Sequence, residues 1–114
     1  MTYNFPEHTK GDTFLGAVFT MTSGGVAINL TGYRIRMHIR RTATQTSPLV
    51  LALDTEDETI EIHDAAAGKF RIKAQVIDIP AYSYVHDIEF TRPDGQVRTW
   101  VKGRFTVTEE VTYD

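Results

Sequence analysis

The run DIPAYSYVHDIEFTRPDGQVRTWVKGRFTVTEE, from Asp78 to Glu110, decides the fold of this chain. Two long β-rich stretches flank Pro93, Asp94 and Gly95, the strongest turn signal in the sequence. Proline presets φ at the first turn position, aspartate can bond its own backbone, and glycine accepts the positive φ needed to rejoin an antiparallel partner. In the first stretch Tyr84, His86, Ile88 and Phe90 fall on one face, with Val85, Asp87 and Glu89 on the other. In the second, Val97, Val101, Phe105 and Val107 share a face, with Arg98, Trp100, Lys102 and Arg104 opposite. Period-2 alternation of this kind marks a half-buried antiparallel sheet. The hairpin sets the register that the earlier strands have to match.

Moving outward, Tyr33 to Arg41 alternates just as cleanly. Tyr33, Ile35, Met37 and Ile39 point one way, and Arg34, Arg36, His38 and Arg40 the other. A solvated outer face accounts for such a pattern; arginines paired with carboxylates of a neighbouring subunit account for it as well. Pro48 opens an apolar strand, Leu49 to Leu53, and the acidic run Asp54 to Glu58 follows. That run is rich in oxygen ligands but lacks the spacing and central glycine of an EF-hand loop, so it reads as a solvated turn. Thr59 to His63 and Lys69 to Ala74 read as short strands around Asp64-Ala65-Ala66-Ala67-Gly68, a single helical turn or tight loop.

Towards the N-terminus, Asp12 to Met21 reads as one strand. Leu15, Ala17, Phe19 and Met21 take one face, Phe14 and Val18 the other, which suggests cover on both sides. Thr22 to Gly25 turns the chain into a short returning strand, Val26 to Leu30. Residues 1–11, broken by Pro6 and Gly11, read as an extended arm whose Tyr3 and Phe5 can pack on its own or a neighbouring subunit. The whole predicts an all-β protein, an immunoglobulin-like antiparallel β-sandwich of about seven to nine strands over 12–114 behind that arm.

A chain of 114 residues has the size of one domain with a real core. With no cysteine it can hold neither a disulfide nor a thiolate metal site. A net charge of −3 argues against a general nucleic-acid binder. The N-terminus lacks the pattern of a signal peptide, and no apolar run approaches membrane-spanning length. The chemistry of catalysis is hard to assemble. Ser23, Ser47 and Ser83 lack a nucleophile elbow, and His8, His38, His63 and His86 are scattered rather than paired for zinc. His86 shares its face with Ile88 and Phe90, so a core or rim histidine with a satisfied hydrogen bond is expected. Asp87 and Glu89 share a face, but an alternating outer strand explains them without glycoside chemistry. Gly24-Gly25 leads into a strand, not a phosphate-cradling helix. The expectation is therefore a non-enzymatic protein with no cofactor and no metal.

Trp100, the only tryptophan, falls among Arg98, Lys102 and Arg104 on the face opposite Val101 and Phe105. A tryptophan among arginines has the composition of an interface hot spot; it can also pack within its own chain or stack on a sugar ring. The candidate interface residues are Tyr3 and Phe5 on the arm, Arg34, Arg36 and Arg40 on the arginine-rich strand, and Arg98, Trp100, Lys102 and Arg104 on the last strand.

Gly11-Asp12-Thr13-Phe14, Leu30-Thr31-Gly32-Tyr33 before the arginine-rich strand, and Ala67-Gly68-Lys69-Phe70 together carry a resemblance. Tyr84-Val85-His86-Asp87-Ile88-Glu89 and Asp94-Gly95 with Gly103-Arg104-Phe105-Thr106-Val107-Thr108 extend it. Over about residues 11–110 the chain resembles the immunoglobulin-like domains of tailed-phage virion proteins, in particular the N-terminal domain of baseplate upper proteins. The resemblance implies a virion structural protein of the tail, baseplate, neck or capsid decoration, with other virion proteins or further copies of itself as partners and no catalytic residue. In that family the domain usually continues into a fibre or receptor-binding region. A chain ending at Asp114 favours a connector, decoration or adaptor subunit, assembled in the host cytoplasm and carried in the virion. The alternative is a carbohydrate-binding module for cell-surface attachment. That role calls for two or more exposed aromatics on one face, for which Trp100 and Tyr82 are the candidates.

Overall fold

The computed structural model describes residues 1–44 and 46–110. Among them the chain is all-β, with strands β1 (His8–Thr9), β2 (Thr13–Phe14), β3 (Ala17–Thr20), β4 (Thr22–Ser23), β5 (Val26–Ala27) and β6 (Arg34–Arg40). They continue as β7 (Leu49–Asp54), β8 (Ile60–Asp64), β9 (Lys69–Ile72), β10 (Gln75–Val76), β11 (Tyr82–Thr91) and β12 (Val97–Thr108). The hairpin that the Pro93-Asp94-Gly95 turn predicts is β11–β12, the two longest strands. Its turn is built as those residue types require. Gly95, at φ 91°, donates its N–H to the Arg92 carbonyl at 2.9 Å, and the Asp94 carboxylate accepts the Gln96 N–H at 3.0 Å.

The hairpin lies inside a five-stranded sheet of order β1-β12-β11-β6-β7, antiparallel except where β1 runs parallel to β12. A three-stranded sheet, β3-β9-β8, packs across from it. The alternation read for Tyr84 to Phe90 and for Arg34 to Arg40 holds residue by residue: Ile35, Met37, Ile39, Tyr84, Ile88 and Phe90 are buried, and their sequence neighbours face outward. Phe70 joins the sheets, stacked on Phe19 at 4.9 Å and edge-on to Phe90 at 5.4 Å. Burying each such side chain contributes on the order of 2 kcal/mol. Tyr84 is fully buried, and its hydroxyl donates to the carbonyl of Pro80 four residues upstream, fixing the corner where the chain enters β11.

Three expectations change. Asp12 to Met21 is not one strand but two, because Gly16 sits at φ 93° with the Ile72 carbonyl 2.7 Å from where a Cβ would stand. The break moves the chain from β10 to β9 as partner. It turns Phe14 towards the core and leaves Leu15 86% and Val18 66% exposed. The returning strand shrinks to Val26–Ala27. The third change is at Trp100. Ile88 pairs with Val101 but Glu89 pairs with Thr99, so Trp100 is the extra residue of a β-bulge. Period-2 counting breaks there, and the faces of residues 97–100 swap. The Ala65 to Gly68 loop is a turn, with Asp64 accepting the Ala67 N–H at 3.3 Å.

Candidate functional site

The arm runs along the free side of β12. Tyr3 N–H donates to the Lys102 carbonyl at 2.8 Å, Phe5 N–H to that of Arg104 at 3.0 Å, and Lys10 N–H to that of Thr108 at 2.8 Å. Regular parallel pairing would send the Arg104 N–H to the Tyr3 carbonyl. It goes instead to Asn4 Oδ1 at 3.0 Å, because the Tyr3 carbonyl is turned inward onto His86 Nε2 at 2.7 Å. Only glycine allows this at 103, where a Cβ would lie 1.8 Å from the Tyr3 oxygen. A carbonyl can only accept, so His86 carries its proton on Nε2, and Nδ1 is buried with no partner among the described residues. Burial pushes the His86 pKa below its ordinary value, against the opposing pull of the Tyr3 carbonyl and Asp87.

Phe5 is buried against Phe105, Phe19 and the His86 ring, and Tyr3 lies edge-on to Phe5 and Phe19. His8 is also buried, bonded through Nε2 to the Ile77 carbonyl at 3.1 Å. Of the two docking alternatives open to the arm, the structure places it on its own sheet.

The outer face of the five-stranded sheet holds the remaining candidates. Its register sets Arg36, Glu89 and Thr99 in one row, His38, Asp87 and Lys102 in the next, and Arg40, Val85 and Arg104 in a third. Arg34 pairs with Asp54 at 2.7 Å and Glu56 at 3.3 Å, and Arg36 with Glu89 at 2.9 Å, so both find carboxylates within this chain. Partial burial would raise the Asp54 pKa; the Arg34 hydrogen bond and the Glu56 N–H outweigh it and hold the carboxyl below its usual range. The hydrogen bond with Asp54 raises the Arg34 pKa in turn. Arg40 donates to the Ser47 carbonyl at 2.6 Å. Lys102 and Arg104 are exposed, and no carboxylate of the described residues lies within ion-pair reach of either.

Arg40, Lys102 and Arg104 therefore converge, with His38 and Asp87, on one concavity of about 440 Å³. Trp100 and Arg98 do not join them. The bulge turns Trp100 to the core side, 4.8 Å from Phe90 and 6.2 Å from Tyr33, and sets Arg98 opposite Phe90. The outer-face placement of both residues is thus corrected. Trp100 is packed within its own chain, one of the alternatives its sequence left open.

A second surface lies on the other sheet. Leu15 and Val18 line a concavity of about 470 Å³ with Ala17, Ala74, Arg71 and Lys73, and Val76 is exposed on β10. β3 pairs only with β9, so its other side is open among the described residues. Sequence reasoning missed Asn4, His8 and Gly103. Glycine in the middle of a strand is the signal that marks close backbone approach, and Gly103 carried it. Neither a family model nor a curated protein sequence matches the chain.

Proposed function

We propose that this chain is an immunoglobulin-like β-sandwich that acts by assembling with other proteins, without catalysis, as a structural subunit of a tailed-phage virion. The strand order supports the finer fold reading. With β6, β7, β11 and β12 read as strands C, C′, F and G, and β3, β8 and β9 as B, D and E, the orders G-F-C-C′ and B-E-D are those expected for part of a variable-type immunoglobulin arrangement. The Tyr84 to Pro80 hydrogen bond has the form of the tyrosine corner at the start of strand F. The virion setting rests on the resemblance of residues 11–110 to phage immunoglobulin-like domains.

The observation that carries assembly is the apolar shoulder beside an undefended edge. β3 reads Ala-Val-Phe-Thr, with no charge and no proline, the two devices natural edge strands use against pairing. Leu15, 86% exposed, precedes it, and Val18, within it, is 66% exposed. Large exposed apolar groups gathered in one place mark protein contacts more than chance surface. A second copy added edge to edge at β3 would pair backbone groups and cover these side chains in one step. A contact of this kind about a two-fold axis repeats the same patch on both subunits.

The test is the solution mass by light scattering over a range of concentration, for the wild type and Val18→Lys. A wild type that exceeds the mass of one chain, and a folded Val18→Lys that does not, is the expected result. A wild type that stays monomeric to its solubility limit contradicts self-assembly, and association that survives Val18→Lys contradicts this edge.

A further inference from the structure

We infer that the concavity on the outer face of the five-stranded sheet is a binding site for an acidic saccharide, a sugar bearing a carboxylate. The charge of the site runs against the charge of the chain. The sequence carries −3 overall, yet among the described residues the concavity gathers Arg40, Lys102 and Arg104 against one carboxylate, that of Asp87. Two of those cations have no carboxylate partner among the described residues, so their donors are unclaimed. Charge-assisted hydrogen bonds to a carboxylate are the strongest use of such groups.

Size and rim chemistry take the inference from an anion to a sugar. A volume of about 440 Å³ falls within the range of small-ligand sites and far exceeds what a bare anion needs. Around the cations stand Thr2 and Asn4 from the arm and Thr42 and Thr44 from the loop after β6. Hydroxyl and amide groups of this kind both donate and accept, which matches a ring of sugar hydroxyls. Asp87, on the floor between His38 and Lys102, adds an acceptor for ligand O–H groups. Among the described residues no tryptophan, tyrosine or phenylalanine lines the concavity. A neutral sugar would therefore have no face to stack on, and recognition must come from the carboxylate. The site also depends on the arm: Asn4 is oriented by its bond to the Arg104 N–H, and Thr2 is bridged to Lys102.

The experiment is an NMR titration of the full chain with a short oligogalacturonate, a neutral oligogalactose of the same length, and an oligoglutamate peptide. We expect oligogalacturonate to shift the amides around His38, Val85 and Lys102 to Arg104, and the neutral sugar to leave them unmoved. Lys102→Gln and Arg104→Gln should each weaken binding by about tenfold, as expected for loss of a hydrogen bond to a charged group. Salt at about 1 M, where screening shortens to about 3 Å, should weaken it further. Val18→Lys, on the other sheet, should bind like the wild type, which separates this site from the assembly edge. Three results would overturn the assignment: no shift at saturating oligogalacturonate, equal binding of the neutral sugar, or equal binding of oligoglutamate. The last would make the concavity a reader of protein carboxylates instead.

Discussion

β12, in the five-stranded sheet, and β3, in the three-stranded one, both present backbone groups beyond their last antiparallel partner, and they are treated in opposite ways. Along β12 the chain lays down its own first ten residues, and the fit is specific. Gly103 clears space for the Tyr3 carbonyl, His86 receives it, and Asn4 stands in for it at the Arg104 N–H. Along the side of β3 away from β9 no strand of the described residues pairs, and Leu15 before the strand and Val18 within it are exposed. An exposed apolar edge invites pairing with another chain. The difference teaches that the two ends of this fold are not equivalent: one is closed from within, and the other is suited to closure from outside.

The comparison breaks most severely at Gly103. Gly103→Val puts a side chain into the Tyr3 carbonyl, and the arm has to leave β12. With Phe5 then out of the core, the loss should be about 3 kcal/mol or more, close to that of Phe5→Ala. Chemical denaturation measures it, and amide exchange at Tyr3 and Phe5 should lose its protection together. Asn4→Ala is gentler. It removes only the acceptor of the Arg104 N–H at an exposed position, and should cost about 1 kcal/mol in the same measurement.

The seal also has a pH dependence of defined sign. His86 is held neutral, with its pKa below the ordinary 6.5. Below that value the unfolded chain binds a proton that the folded chain refuses, so the contribution is complete above about pH 6.5 and is lost as pH falls towards the folded pKa. Comparing denaturation at neutral and mildly acidic pH for the wild type and His86→Gln checks it. The variant should lose part of the slope, and an unchanged slope would remove His86 from the seal. The smallest effect on stability belongs to the open edge. Val18→Lys should change the stability of the single chain by no more than about 0.5 kcal/mol, because the side chain already faces solvent.

What the sequence made legible was whatever depends on near neighbours. Alternation placed Ile35, Met37 and Ile39 inward, and Pro93-Asp94-Gly95 located the turn between the two longest strands. Arg40, Lys102 and Arg104 were visible as outward cations, and they share one concavity. What escaped depends on partners distant in the chain. The bulge at Trp100 exists only as an offset against Ile88 and Glu89, and no count along β12 reveals it. The break at Gly16 is enforced by the Ile72 carbonyl, over fifty residues away in sequence. Arg34 and Arg36 read either as a solvated face or as partners of a neighbouring subunit's carboxylates, because Asp54 and Glu89 reach them only across strands.

The most direct measurement is amide hydrogen exchange of the wild-type chain at low and high protein concentration. If the arm seals its own sheet and β3 receives a second copy, Tyr3, Phe5 and Lys10 are protected equally at both concentrations, while residues of Ala17–Thr20 gain protection as the concentration rises. Protection of the arm that grows with concentration would mean that it docks on a neighbour. An unprotected β3 at every concentration would mean that the open edge is not where copies meet.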